Sequence, residues 1–350
     1  MNKQSTYREL PIDAINKQNV LIEKHIKLYL KNDNLEITKE TVGHNSEDTG
    51  TFCITIYNKE LDDEEEKYIL KICNDNYEDI KNISLECYNI GIAPKVLYYD
   101  KTDRIIIYEF INVTLTKGIS SIYRLKNLIS NIKLYHNIKY TTNITHNFEN
   151  LKNTKLYDPK LNYPFFIAFE IINKLTPYLI DKYGLVLSHN DIHDSNRLWS
   201  TDKFFIIDYE MSYYNTPFID LGYQTLYFIN KEEELLKEYF QIDTVSDELK
   251  NDFILGKCLS FLYIGLNIRT NSIVTEAFIN TEITHNFKEL KTLTTTPYDK
   301  LYNINCYNTN ENYFISSLFI KEGFFLIKNN IELFKPFISD NLLYDIFTLL

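Results

Sequence analysis

Ser188-His189-Asn190-Asp191-Ile192-His193-Asp194-Ser195-Asn196-Arg197-Leu198, with Phe204-Phe205-Ile206-Ile207-Asp208-Tyr209-Glu210 shortly after it, is the stretch on which the reading of this chain turns. The short apolar runs Leu185–His189 and Phe204–Asp208 read as strands, and each hands over to polar residues where it ends, a place that favours chemistry over packing. Asp191, Asn196 and Asp208 are the residues that phosphoryl transfer to an alcohol requires. One carboxylate accepts the hydroxyl proton. A carboxamide five residues on, across a tight loop, bends back to hold a metal. A second carboxylate, seventeen residues past the first, bridges Mg2+ to the nucleotide phosphates. Taken singly, Asp191 and Asn196 are ordinary turn formers and Asp208 a strand-end cap. Their joint spacing is what singles them out.

Outward from this core the chain divides. Towards the N-terminus, Ile12–Leu30 carries apolar residues at helical spacing, and Thr51–Tyr57 and Tyr68–Cys73 read as strands parted by the solvated acidic run Asp62–Glu66. A helix from Tyr77 to Tyr88 stops at Gly91 with Pro94 beyond, and strands Lys95–Tyr99 and Arg104–Ile111 follow. From Ile119 onward the pattern is mainly helical. Ile122–Ile138 and Pro164–Lys182, with Pro164 at the first helical position, are separated by a polar surface excursion at Tyr140–Lys160. The class is therefore α+β in two lobes, a small N-terminal lobe with an antiparallel sheet over 1–111 and a larger, mostly helical lobe over 112–350.

The pattern at these residues resembles the choline/ethanolamine kinase family, within the superfamily of protein-kinase-like and aminoglycoside phosphotransferases. His189-Asn190-Asp191 with Asn196 is similar to that family's catalytic loop, and Ile207-Asp208-Tyr209-Glu210 to its metal segment; Asn215 through Asp220-Leu221-Gly222 looks like the bacterial choline kinases. The resemblance implies a bilobal protein-kinase-like fold, Asp191 as catalytic base, Asn196 and Asp208 as Mg2+ ligands, Glu210 beside the metal, and Asp220 bracing the catalytic loop. It also implies ATP as phosphoryl donor, with Lys71 pairing its phosphates and Glu78, or Glu86 in reserve, pairing Lys71 from the next helix. The backbone of Glu109, Phe110 and Ile111 would meet adenine. Thr41 to Phe52, around Gly43 and Gly50, lies where a nucleotide loop belongs but lacks G-x-G-x-x-G.

For the acceptor, such kinases enclose a quaternary ammonium in aromatic rings, each worth ~0.5–2 kcal/mol. The tryptophans of the family's late helix are missing from Lys257–Ile268, and the one Trp is Trp199; Tyr213, Tyr214, Tyr223, Tyr227 and Tyr263 are the rings that could rebuild the box. With 9 Gly against 28 Tyr and 22 Phe, loss of glycine and tryptophan also follows compositional drift. His193, two after Asp191, is instead similar to aminoglycoside phosphotransferases. Three readings stay open: a kinase of choline or ethanolamine, a kinase of another small alcohol such as an aminoglycoside or sugar, and a degenerate kinase-like scaffold that binds nucleotide.

Composition narrows the partners. A net charge of −11 repels a nucleic-acid backbone and agrees with a cationic substrate. No apolar run approaches the roughly 18 residues of a membrane span, and the N-terminus lacks a secretory pattern. Five scattered cysteines form no C-x-x-C pair, which fits inert thiols in the cytoplasm. His136, His146 and His285 have no metal-ligand spacing and read as surface or satisfied histidines. Residues 301–350 read as a helical cap or an oligomer contact, and either a monomer or a homodimer fits.

Overall fold

Alternation in Gly50–Tyr57 builds the small lobe: Phe52, Ile54 and Ile56 point inward and are buried, while their neighbours are half-exposed. The computed structural model describes residues 10–33, 35–57, 65–113, 120–140, 159–200, 203–271 and 309–350, without the side chains of 43–45, 159–162, 269–271 and 309–314. The polar excursion at 141–158, acidic residues 62–64, His146, His285 and Cys306 lie outside those residues.

Five antiparallel strands, β1 (Glu36–Asn45), β2 (Gly50–Tyr57), β3 (Glu65–Ile72), β4 (Val96–Asp100) and β5 (Ile105–Glu109), form a sheet of order β1-β2-β3-β5-β4. One face packs Phe52, Ile54, Ile56, Leu70, Ile72, Ile105 and Ile107 against Ile22 and Ile26 of helix α1 (Ile12–Leu30). The other packs Cys73 and Ile106 against Tyr77 and Ile80 of helix α2 (Tyr77–Asn89). Lys71 pairs with Ile106 in the sheet register, so it alternates with Leu70 and Ile72 onto the face away from α1. The chain leaves α2 through Gly91, whose φ of 82° favours a residue without Cβ, and the Ile92 amide closes back on the Cys87 carbonyl. β1 departs from the sequence reading, which starts the strands at Thr51. It is an edge strand of mainly polar residues, held by pairing with β2 and lacking the apolar alternation that reveals a strand.

The large lobe is helical: α3 (Ser121–His136), α4 (Pro159–Tyr183), α5 (Phe218–Gln224), α6 (Glu232–Phe240), α7 (Asp247–Asn271), α8 (Thr309–Asn329), α9 (Ile331–Phe334) and α10 (Asp340–Leu349). Two short hairpins interrupt the helices, β6 (Val186–Ser188) with β9 (Tyr213–Asn215) and β7 (Arg197–Trp199) with β8 (Phe204–Ile206). Helix α4 begins earlier than expected. Pro159 takes its first position, and Pro164 and Pro177 lie within it, each removing one amide donor. The core runs through α3, α4, α7 and α8, from Ile129 and Leu175 to Leu262 and Phe324. Helix α5 is pressed onto α7 at Gly222, where an added Cβ would sit 2.7 Å from the Ser260 Cβ. Among the described residues no helix is long and apolar enough to cross a membrane.

Candidate active site

The two hairpins explain why residues distant in sequence converge. Arg197 pairs with Ile206, so the chain just before β7 lies beside the chain just after β8, and the Ile207 amide donates to the Asn196 carbonyl at 3.1 Å. The loop from β6 to β7 carries Asp191 and Asn196; the loop from β8 to β9 carries Asp208 and Glu210. Asn190 and Asp208 both adopt left-handed backbone, with φ of 65° and 70°, a conformation that Asn and Asp tolerate better than most residues. Each marks the point where a loop turns out of its strand, and such strain gathers at functional sites.

Asn196 is buried and its Nδ2 donates to the Asp191 carbonyl at 2.9 Å and to the Asp191 carboxylate at 3.2 Å. That orientation leaves its Oδ1 as the atom for a cation. It and the Asp208 carboxylate are hard oxygen donors, the type that could hold Mg2+. His193 approaches the Asp191 carboxylate at 3.5 Å through Nε2, while its Nδ1 accepts from the Ser195 amide.

Across the lobes, the Lys71 ammonium lies 2.7 Å from Asp208 Oδ1 and 2.8 Å from Glu210 Oε1. Burial pulls the Lys71 ammonium down, but the two carboxylates outweigh it and hold it above the usual lysine range. Partial desolvation likewise pushes the Asp208 carboxyl up, and Lys71 overcomes this and holds it below the usual carboxylate range. Burial also drives the Cys73 thiol up to about 12, so this neighbour of Lys71 is a packing residue at neutral pH.

The expected partner of Lys71 requires correction. Glu78, in the first turn of α2, faces Lys81 one turn on and Lys101 of the β4–β5 turn, at 2.7 and 3.1 Å, and Glu86 is exposed. The acid that α2 buries is Asp79, which accepts from the Tyr140 hydroxyl at 2.7 Å. At the strand leaving the small lobe, the Glu109 amide donates to the Lys95 carbonyl and its carboxylate accepts from the Lys95 amide; Phe110 is exposed and Ile111 half-buried.

Four of the tyrosines meet in two ring pairs. Tyr213 and Tyr263 pair at 5.7 Å between ring centroids, with Tyr263 buried in the large-lobe core. Tyr223 and Tyr227 pair edge-on at 5.9 Å, with Tyr223 buried against Phe261 and Phe319. The Arg197 guanidinium lies 4.0 Å from the centroid of Tyr227. Tyr214 spends its hydroxyl on the Tyr140 carbonyl at 2.6 Å. In a Tyr-rich chain, spacing alone does not separate a ring that lines a cleft from one that fills a helix contact.

Asp220 braces the loop. Its two oxygens accept the His189 and Asn190 amides, both at 2.8 Å, and His136 Nε2 lies 2.9 Å from Oδ2. His136 Nδ1 contacts the Tyr239 hydroxyl at 2.8 Å, so this histidine is buried and satisfied. Below the loops, His189 donates from Nε2 to the Ile207 carbonyl at 2.9 Å and packs on Tyr135 and Tyr209, whose rings stack at 5.8 Å. His136 is the satisfied histidine that the sequence suggests, whereas Tyr135, Arg197 and Gln224 escaped the sequence reading, because none stands in the motif as a polar residue at a strand end with a chemical task. The α5 spacing Asp220, Gln224 was the available signal.

Residues 134–250 match the sequence model of the phosphotransferase enzyme family. Among solved structures, the fold is similar to that of a choline kinase from Cryptosporidium parvum Iowa II, with a TM-score of 0.54 at 14% identity over 91% of this chain and 100% of that one. It is also similar to the choline kinase LicA from Streptococcus pneumoniae, with TM-score 0.51, 17% identity, and 75% and 95% of the two chains covered. A choline/ethanolamine kinase family protein from Mesorhizobium loti gives 0.50 at 15% identity over 89% and 92%. At these identities the likeness is one of fold. No curated protein matches the sequence.

Proposed function

We propose that this chain transfers the γ-phosphoryl group of ATP to the hydroxyl of a small alcohol, with choline or ethanolamine as the leading acceptor class. The observation that carries the reading is the convergence of Asp191, Asn196 and Asp208 on two adjoining loops, with Lys71 reaching Asp208 from the other lobe. In this reading Asp191 orients the acceptor hydroxyl and takes its proton. Its half-exposed carboxylate, 39% accessible, is open to a ligand while Asn196 restrains it from the loop side. Asn196 and Asp208 hold Mg2+, which when bound neutralises charge on the phosphates. Lys71 exchanges Asp208 and Glu210 for nucleotide phosphates, and the chain at Glu109–Ile111 lies along adenine. Positioning and charge neutralisation supply most of the acceleration, because the transition state of phosphoryl transfer is loose. The lobes divide at 111/112, just beyond the end of β5.

A second reading, a kinase of another small alcohol such as an aminoglycoside or sugar, draws on the tyrosines. The ring face of Tyr227 already holds the guanidinium of Arg197, and Tyr223 and Tyr263 are buried in packing. The experiment is ADP release from Mg-ATP across choline, ethanolamine and a set of aminoglycosides, with Asp208→Ala as the blank. Choline- or ethanolamine-dependent release that is lost in the blank supports the first reading, and aminoglycoside-dependent release supports the second. Silence with every acceptor removes both.

A further inference from the structure

Arg197 is a buried cation immediately after the proposed metal ligand Asn196, and phosphoryl transfer as proposed has no task for it. Its partners lie on both sides of it in sequence. Nη2 donates to the Ile192 carbonyl at 2.7 Å and to Gln224 Oε1, Nη1 donates to Asp194 Oδ1 at 3.0 Å, and the guanidinium plane covers Tyr227. Gln224 reinforces the same carbonyl, since its Nε2 lies 3.3 Å from the Ile192 oxygen and 3.1 Å from the Asp220 carbonyl.

Asp220 and Gln224 stand four residues apart on α5 and so share one helix face. Asp220 holds the amides of His189 and Asn190, just before Asp191; Gln224, directly and through Arg197, holds the carbonyl of Ile192, just after it. Asp191 is thus gripped on both sides from a single helix face. Both halves rest on a buried ionisable side chain, the Asp220 carboxylate and the Arg197 guanidinium, and the arginine stands at a position where an apolar side chain would be cheaper to bury. Arg197 Nε even lacks a hydrogen-bond partner among the described residues, a cost that packing does not explain.

We infer that Arg197 and Gln224 are positioning residues for Asp191, and that the arginine, by occupying the face of Tyr227, turns this ring from a substrate contact into part of the loop brace. The statement about catalysis rests on the proposed phosphotransfer. The statement about the loop does not. Lysine cannot substitute for this arginine, because a point charge cannot reach Ile192, Gln224 and Asp194 together while lying flat on a ring.

The test is hydrogen exchange of the full chain, read on peptides spanning residues 189–196, alongside steady-state kinetics with whichever acceptor supports turnover. Arg197→Met should speed exchange in that segment about 10-fold or more and, with the loop loosened, lower kcat about 10- to 100-fold while the KM for Mg-ATP stays within about twofold. Arg197→Lys should fall between Arg197→Met and the parent. If Arg197→Met does not fold, Gln224→Leu removes the milder half of the grip and should show the same pattern at smaller amplitude. Unchanged exchange in the folded variants overturns the inference, as does a lowered melting temperature with kcat intact. Asp191→Asn in the same assay keeps the two readings apart. Retained turnover there removes the phosphotransfer mechanism, while the exchange result still decides the brace.

Discussion

Two charged contacts meet at this site, and they differ in what surrounds them. Asp220 and its partners are enclosed: the carboxylate and His136 side chains are each 1% exposed, and the amides it accepts belong to buried residues. Lys71 is nearly as enclosed, at 9%, but its partners Asp208 and Glu210 are 42% and 34% exposed. Releasing the first contact would strand buried groups on both sides, whereas releasing the second strands only the Lys71 ammonium and returns two carboxylates to water. The brace is therefore suited to stay made through a catalytic cycle, and the cross-lobe bridge to exchange one partner for another. In the proposed reaction, a loop that holds a base in place and a lysine that accepts a phosphate call for these opposite properties.

Asp191→Ala probes the residue between them and carries the largest expected effect. Turnover should fall about 10²- to 10⁴-fold, the usual contribution of a general base, with nucleotide binding retained. ADP release and nucleotide titration on the same preparation check it, and near-parental turnover would remove the mechanism.

Asp220→Ala tests the enclosed contact. It strands the His189 and Asn190 amides, and the expected loss of stability is ~3–5 kcal/mol, the range for removing one partner of a buried charged contact. Urea unfolding would measure it. A loss below ~1 kcal/mol would mean that the brace is no firmer than the bridge.

Lys71→Met tests the exchangeable contact and should separate affinity from stability. The KM for Mg-ATP should rise severalfold or more. Stability should change by less than ~1.5 kcal/mol, because an apolar chain of similar length suits the buried site and the freed carboxylates are solvated. A large loss of stability without a change in nucleotide affinity would reverse the assignment of roles.

The smallest effect is a pH dependence. The folded Asp208 carboxyl lies below its unfolded value, so its stabilising contribution is complete above the ordinary carboxylate range, about pH 4, and is lost as pH falls through the folded value. Melting temperature between about pH 6 and pH 3 should therefore decline more steeply for the parent than for Asp208→Asn. Parallel curves would show that the bridge adds no pH-dependent stability.

Much of this was legible in the residues. The helix Ile12–Leu30 and the alternation of β2 stand in local patterns that burial enforces every second or every third to fourth residue. The polar edge strand β1 left no such mark, and the start of α4 was misplaced because proline favours a first turn without being confined to it. Within the site, Asp191, Asn196 and Asp208 could be picked out together because a hairpin register links them over a short stretch of chain.

The sequence by itself determined the two-lobed α+β organisation and the polar residue types that the two adjoining loops present, since both are written in short runs of neighbouring residues. Only the tertiary structure decided who pairs with whom. Lys71 meets Asp208 across 137 residues instead of Glu78 on the adjoining helix. Tyr227 meets Arg197, and Ile192 is held by Gln224. Those choices depend on the direction in which each side chain leaves its element and on how the elements are packed. Chain spacing carries neither.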